Sequence, residues 1–401
     1  MLCVGAVSAQ QALWSASKVV SPQINDDNSV TFRLAAPEAQ SVVVVCDYTA
    51  ADGKPISPGK MVRGEDGVWE FTTPPLKSEL YSYNFIVDGV KVCDPANVYI
   101  NRDVASVANI FIIDGDRGDL YRVNDVPHGS VKRCWYDSPT LGKSRRMTIY
   151  TPAGYEQGKE KYPVLYLLHG AGGDEEAWMT LGRTSQILDN LIAQGKCRPM
   201  IVVMTNGNAW QQAAPGESAA GMTPPGMKFD RTKKSFEDSF GDVMAYVEDN
   251  YRVIRKKEAR AVAGLSMGGG HSFNISRMYP DTFDYVGLFS AAVRGVEDPD
   301  VAESLVRQRD NGLKLYWIAC GNTDFLYQAN KDYMKYLDSI SFPYTFRESD
   351  GGHIWRNWRI YLGLGFLLAL ALILRRGSGG GGCHAGRLLL GFLLGFLGGG
   401  R

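Results

Sequence analysis

The stretch Gly264-Leu265-Ser266-Met267-Gly268 closes a short apolar run and fits the G-x-S-x-G pattern, in which a serine sits on a sharp turn from strand to helix. Such a turn strains the serine backbone and needs glycine on either side, where side chains would strike the neighbouring elements. The bare pattern also describes a plain glycine-rich turn, so its partners decide the reading. A serine hydroxyl near neutral pH needs an imidazole to take its proton and a carboxylate to orient that ring. Of the five histidines, His128 falls in a polar stretch, His384 in the C-terminal tail, His271 five residues past the serine, and His169 in a glycine loop. His353, in Asp350-Gly351-Gly352-His353, follows the last expected strand and is the expected base. Asp324 stands in the turn after the apolar run Leu313 to Ala319 and is the expected acid, in the order serine, acid, histidine. Its rival is Asp350, and a helix-capping role is the alternative for Asp324 itself.

A tetrahedral intermediate needs two backbone N–H donors. One belongs to the residue after the nucleophile, Met267. The other is expected at Ala171, in Leu167-Leu168-His169-Gly170-Ala171-Gly172-Gly173, with His169 bracing the loop. A phosphate cradle is the competing use of such a loop, but no P-loop lysine with a serine or threonine follows. Trp178, Trp210 and Trp355 are candidates to stack on an aromatic acid or a sugar, and serve equally as partly buried aromatics. Asn206 to Lys234 is a long irregular insertion of the kind that forms lids and binding loops.

These residues require a sheet with its strand ends aligned. Arg146 to Tyr150, Val164 to Leu168, Met200 to Thr205, Ala259 to Ala263, Tyr285 to Ser290, Leu313 to Ala319 and Tyr344 to Glu348 read as strands, several continuously apolar as in a sheet covered on both faces. Helical stripes alternate with them. In Phe236 to Tyr251, Phe236, Phe240, Val243, Met244, Val247 and Tyr251 share one face, and Ser235 with Asp238 is a start signal. The plan is α/β, doubly wound with a mostly parallel sheet, over 130–360. Ahead of it, 24–114 holds short strands at Val30 to Leu34, Ser41 to Cys46, Val68 to Thr72, Leu80 to Val87 and Asn109 to Ile113, separated by Asp-Gly turns. This reads as a small all-β sandwich of immunoglobulin type. Tyr81, Tyr83 and Phe85 share one face, read as core ahead of a sugar platform. The polar stretch 115–129 reads as a linker.

With 401 residues, 45% hydrophobic and 21% charged, the chain can fill two cores. Lysine plus arginine and aspartate plus glutamate both number 43, so a nucleic-acid partner is not expected. Residues 1–9 look like the end of a secretory signal with a small-x-small site at Val7-Ser8-Ala9, which predicts a secreted or periplasmic protein. The seven cysteines show no metal-ligand spacing. No disulfide framework is expected, and Cys46, Cys93, Cys134, Cys197 and Cys320 read as small buried hydrophobes. From 361 to 401 the composition turns to leucine, glycine and phenylalanine. The apolar run there is shorter than the roughly 20 residues of a membrane span. A frameshifted or artefactual terminus ranks ahead of a core helix with a tail, and that ahead of an anchor; membrane association is not expected.

Taken together, the histidine-glycine loop, Gly264 to Gly270, Ile318-Ala319-Cys320-Gly321 with Asp324, and Gly351-Gly352-His353 resemble carbohydrate esterase family 1, which contains feruloyl esterases and esterase D. The resemblance covers roughly 127–358. It implies an α/β-hydrolase fold, a Ser266, Asp324, His353 triad, no cofactor or metal, and cleavage of feruloyl or acetyl esters on plant cell-wall polysaccharide, xylan. Tyr81 to Gly89 with Asp94-Pro95 is similar to the early-set domains that precede many carbohydrate-active enzymes. Enterobactin-type esterases share that arrangement. A siderophore esterase or an S-formylglutathione-type thioesterase is therefore the enzymatic alternative, and a glycan-binding protein the non-enzymatic one.

Overall fold

The computed structural model describes residues 19–49, 56, 58–104, 106–219, 234–367 and 369–370. The expected signal remnant 1–9, His384 and most of 361–401 lie outside them. The N-terminal strands are β1 (Gln23–Ile24), β2 (Val30–Ala35), β3 (Val42–Cys46), β4 (Gly59–Lys60), β5 (Val62–Arg63), β6 (Val68–Thr72), β7 (Leu80–Val87), β8 (Val90–Val92), β9 (Ile100–Asp103) and β10 (Ser106–Ile112). They form two sheets, ordered β1-β2-β6-β5 and β4-β3-β7-β10-β9, with β8 against β7. The alternation along β7 sends Tyr81, Tyr83 and Phe85 inward, where Tyr83 lies 4.8 Å from Phe32 and Tyr81 stacks on Phe111 at 5.3 Å. The three rings are core. On the opposite face, Leu80, Ile110 and Ile112 pack against the second domain.

That domain contains α1 (Asp116–Tyr121), β11 (Ser130–Ser138), β12 (Lys143–Thr151), β13 (Val164–Leu168), α2 (Ala177–Thr180), α3 (Thr184–Ala193), β14 (Ile201–Thr205), α4 (Phe240–Asn250), β15 (Arg260–Leu265), α5 (Met267–Met278), β16 (Tyr285–Phe289), α6 (Pro299–Asp310), β17 (Leu315–Gly321), α7 (Tyr327–Ser339), β18 (Thr345–Ser349) and α8 (Trp355–Ile360). The eight strands run β11-β12-β14-β13-β15-β16-β17-β18. The six from β13 to β18 are mutually parallel, and β11 and β12 are antiparallel additions at one edge. Val164–Leu168, Ile201–Thr205 and Tyr285–Phe289 are buried throughout, as a sheet covered on both faces requires. One face packs on Phe240, Val247, Phe273, Leu305 and Leu337, the other on Ile187, Leu188, Leu191 and Tyr361.

Three expectations change. The stretch 115–129 is no loose tether: α1 lies within it, Leu120 and Tyr121 are buried, and Asn190 Nδ2 donates to the carbonyls of Asp119, Leu120 and Arg122. Six residues are too short to show a helical period. The last helix continues through Tyr361–Leu367 as a π-helical turn, and Tyr361, Leu362, Phe366 and Leu370 bury against the sheet, so the break in composition after 360 is not a break in the core. Among the cysteines, Cys134, Cys197 and Cys320 are buried as expected, but Cys46, at the end of β3, is half-buried and Cys93, just past β8, is exposed.

The two domains are joined by buried charge. Arg359 Nη2 reaches Glu79 Oε1 at 3.3 Å and donates to the Leu80 carbonyl at 3.1 Å, while Nη1 donates to Leu181. Arg356 donates to Thr49 Oγ1 at 2.8 Å. Glu79 and Arg359 are 2% and 3% exposed, so removing one partner strands the other in a dry interface. Glu79→Ala is expected to lower stability in urea unfolding by about 3 kcal/mol. Glu70→Ala, at the exposed Arg33 pair, should change it by less than about 1 kcal/mol; equal effects would refute the clamp.

Candidate active site

Ser266 follows the last residue of β15 and immediately precedes α5. Its backbone sits at φ 53 and ψ −114, a conformation that L-residues avoid. Close packing enforces it. A Cβ on Gly264 would lie 2.4 Å from the Gly268 carbonyl oxygen, and one on Gly268 would lie 2.4 Å from that of Leu168. The strand, the helix and the end of β13 therefore cross at backbone contact. Ser266 N–H donates to Phe289 at 2.8 Å, tying the turn to the next strand.

His353 and Asp324 meet at the ends of β18 and β17. Nδ1 of His353 lies 3.0 and 2.9 Å from the two carboxylate oxygens, so the ring donates there and leaves Nε2 for the substrate side. Phe325 and Trp358 flank the imidazole, with ring centroids at 4.4 and 4.8 Å. Burial alone would raise the Asp324 carboxyl. Hydrogen bonds from His353, the Leu326 amide and Ser290 outweigh it and hold the group below the usual carboxylate range. Asp350 takes no part: it is exposed and accepts from Asn322 Nδ2.

A cavity of about 420 Å³ opens over Ser266, lined also by His353, Gly170, Ala171, Trp355 and Asp103. The Ala171 and Met267 amides donate to no backbone carbonyl among the described residues. Met267 opens α5, where the first N–H groups lack helical partners. His169 lies beneath the loop. Its Nε2 accepts from the Gly207 N–H at 2.8 Å, so Nδ1 carries the proton and donates to the Gly170 carbonyl at 2.7 Å. Burial drives this imidazole down to about 4. His271 is held by Glu237 at 2.8 Å.

The tryptophans separate. Trp355 lines the cavity, but Trp178 does not: it is 1% exposed, and its indole donates to the Leu168 carbonyl at 2.9 Å, so it supports the loop from below. Trp210 is 36% exposed and is not part of the cavity wall. Part of the insertion containing it, 220–233, lies outside the described residues.

The Esterase family model matches residues 138–363, more than half of the chain. The chain belongs to the Esterase family. Residues 19–100 match carbohydrate-binding module 48, the isoamylase N-terminal domain. The endo-1,4-beta-xylanase/feruloyl esterase of Xylanibacter ruminicola is 30% identical over 350 residues, covering 84% of this chain and 44% of that protein. The chain thus spans less than half of that relative. A ferulic acid esterase from Anaeromyces mucronatus, solved with ferulic acid, is 27% identical with a TM-score of 0.53, covering 63% of this chain and 96% of that one. The enterobactin esterase of Shigella flexneri shares the fold across both domains, at 18% identity and a TM-score of 0.60, covering 92% and 99%. The chain carries an α/β-hydrolase domain of that family preceded by a β-sandwich module.

Sequence reading overlooked Ser290 in this esterase. It follows β16 with φ 46, is fully buried, bonds the Asp324 carboxylate, and accepts from the Trp358 indole at 3.1 Å. Only its place at a central strand end could have flagged it. One hydrogen bond to a charged acceptor is worth about 1.5 kcal/mol, so Ser290→Ala is expected to lower kcat about tenfold with KM little changed; an unaltered kcat would remove Ser290 from the site. His169 yields a second test. Unfolded, it takes up a proton near 6.5; folded, only near 4, so its contribution to stability is full above pH 6.5 and lost as pH falls through that window. The unfolding free-energy gap between wild type and His169→Gln should therefore shrink from pH 7 to pH 4.5, and a constant gap would contradict the assignment.

Proposed function

We propose that this protein is a serine esterase that removes feruloyl or acetyl groups from plant cell-wall polysaccharide, xylan, through an acyl-enzyme. Ser266 Oγ attacks the ester carbonyl as His353 Nε2 takes its proton, and Asp324 holds the imidazole in the tautomer that can do so. The Met267 and Ala171 amides stabilise the oxyanion. His353 then returns the proton to the leaving sugar oxygen, and a water activated by the same ring cleaves the acyl-serine. The observation that carries this reading is the His353 and Asp324 pair opening onto the same cavity as a strained Ser266. The name of the Xylanibacter ruminicola relative supports the substrate class, as does a carbohydrate-binding module ahead of the esterase domain. A polymeric wall substrate also calls for a secreted or periplasmic enzyme.

A siderophore esterase is the second reading, favoured by the fold shared over both domains with the enterobactin esterase. Assay of the purified chain on methyl ferulate, acetylated xylan and enterobactin separates the two. Activity on the first two is expected, lost by about 10⁴-fold or more in Ser266→Ala. Preference for enterobactin, or full activity in the folded variant, would overturn the proposal.

A further inference from the structure

The Ala171 amide can meet an oxyanion only if the histidine-glycine loop is held still. The turn after β14 holds it. His169, which accepts from the Gly207 N–H, donates to the Gly170 carbonyl on one side of Ala171. On the other side, Asn208 Nδ2 donates to the Gly173 carbonyl at 2.8 Å. The turn therefore grips the loop on both sides of the amide.

One buried carboxylate holds the turn in its place. Glu175 Oε2 accepts from Asn206 Nδ2 at 3.0 Å and Oε1 accepts from the Ala214 N–H at 2.8 Å, so both ends of 206–214 hang on the same group. The Asn206 amide is fixed in that orientation, because its Oδ1 accepts from the Asn208 N–H at 2.9 Å. Both contacts on Glu175 are thus donors. A carboxylate satisfies the two together, whereas a carboxamide or a carboxylic acid would set an N–H or O–H against one of them. Glu175 is fully buried and is not part of the cavity wall, so any effect on the reaction passes through the loop.

We infer that Glu175 is a positioning residue for oxyanion stabilisation: its carboxylate, through Asn206 and the turn at 207–208, sets the Ala171 amide. The inference rests on the esterase reading and adds the group that fixes its oxyanion loop. Several charges face this carboxylate. Asp174 and Glu176 flank it, and Arg146 of β12 lies 3.7 Å from Oε1 while also pairing with Glu176 at 2.9 Å and Glu217 at 2.7 Å. Arg145, beside it on β12, donates to the Asn206 and Asn208 carbonyls, and Arg133 and Tyr136 of β11 also feel the Glu175 charge. Burial outweighs the hydrogen bonds and pushes the carboxyl from 4.5 up to about 7. The sign follows. Relative to a variant with an uncharged side chain, the folded protein has its full stability below 4.5 and loses it as pH rises through 7, the same range in which it gains the clamp.

The test compares kcat of the full-length wild type with that of Glu175→Gln from about pH 5.5 to about pH 8.5, on whichever of methyl ferulate, acetylated xylan and enterobactin the wild type cleaves fastest. Every acyl transfer needs the oxyanion donors, and the ratio divides out the titration of His353 common to both proteins. The ratio should rise from about one to about ten, the worth of one charge-assisted hydrogen bond, with KM little changed. Over the same range the thermal midpoint of the wild type should fall relative to the variant. A carboxylate that only packs would move the midpoint and leave the ratio at one. Asn208→Ala, which keeps Glu175 charged, serves if the first variant does not fold: its kcat should be about tenfold below wild type near pH 8 and approach it near pH 5.5, where the clamp is already open. A ratio flat with pH, at one or at ten, overturns the inference and leaves the esterase reading intact. A wild type that cleaves none of the three esters sinks that reading, and the inference with it.

Discussion

The backbone crossing beneath Ser266 is the constraint to which everything else in the site answers. A residue at φ 53 and ψ −114 costs on the order of 1–3 kcal/mol and persists only where its surroundings leave no alternative. Here three chain segments touch at glycine: the end of β15, the start of α5, and the end of β13 where the oxyanion loop begins. The same contact brings Gly170 within reach of Ser266, so that a Cβ on it would lie 3.3 Å from the serine Cβ. Nucleophile and oxyanion loop are thus one packing unit. Their registration follows from parallel pairing of β13 with β15, which sets Leu168 opposite Gly264.

The base is held differently. His353 follows β18 on a glycine turn, and nothing about that turn alone would orient an imidazole. Its position comes from side chains: the Asp324 carboxylate on Nδ1, Phe325 and Trp358 on the ring, and Ser290 behind Asp324. Trp358 does two jobs, packing on His353 and donating to Ser290. It lies on α8, and so do Arg356 and Arg359, which grip the N-terminal sandwich. The helix that steadies the base is therefore the helix onto which the first domain docks.

Legibility in the sequence followed locality. Ser266, the histidine-glycine loop, Asp324 and His353 could be read because each lies in a short motif at the end of an apolar strand, and strand order then places those ends side by side. The central strands were legible within about two residues for the same reason, since fully buried parallel strands are continuous apolar runs. β11 escaped notice: its first four residues, Lys132 and Arg133 among them, are all exposed and blur into the polar stretch before it. Trp178 stayed open between stacking and burial because a tryptophan's type does not say which way it points. The contribution of the sandwich to the cavity could not be read at all. Asp103 and Ser266 are far apart in sequence, and the contact depends on how two domain surfaces meet, for which no periodicity exists.

The solved Anaeromyces mucronatus ferulic acid esterase chain is matched over 96% of its length by 63% of this chain. Ser266, His353, Asp324 and the histidine-glycine loop all lie within 138–363. Yet the first domain is anchored by the nearly inaccessible pair Glu79 and Arg359, an arrangement that gains little stability over apolar packing but fixes one docking geometry. A rigidly oriented surface of the first domain thus helps to wall a cavity whose Ser266 and His353 come from the second domain alone.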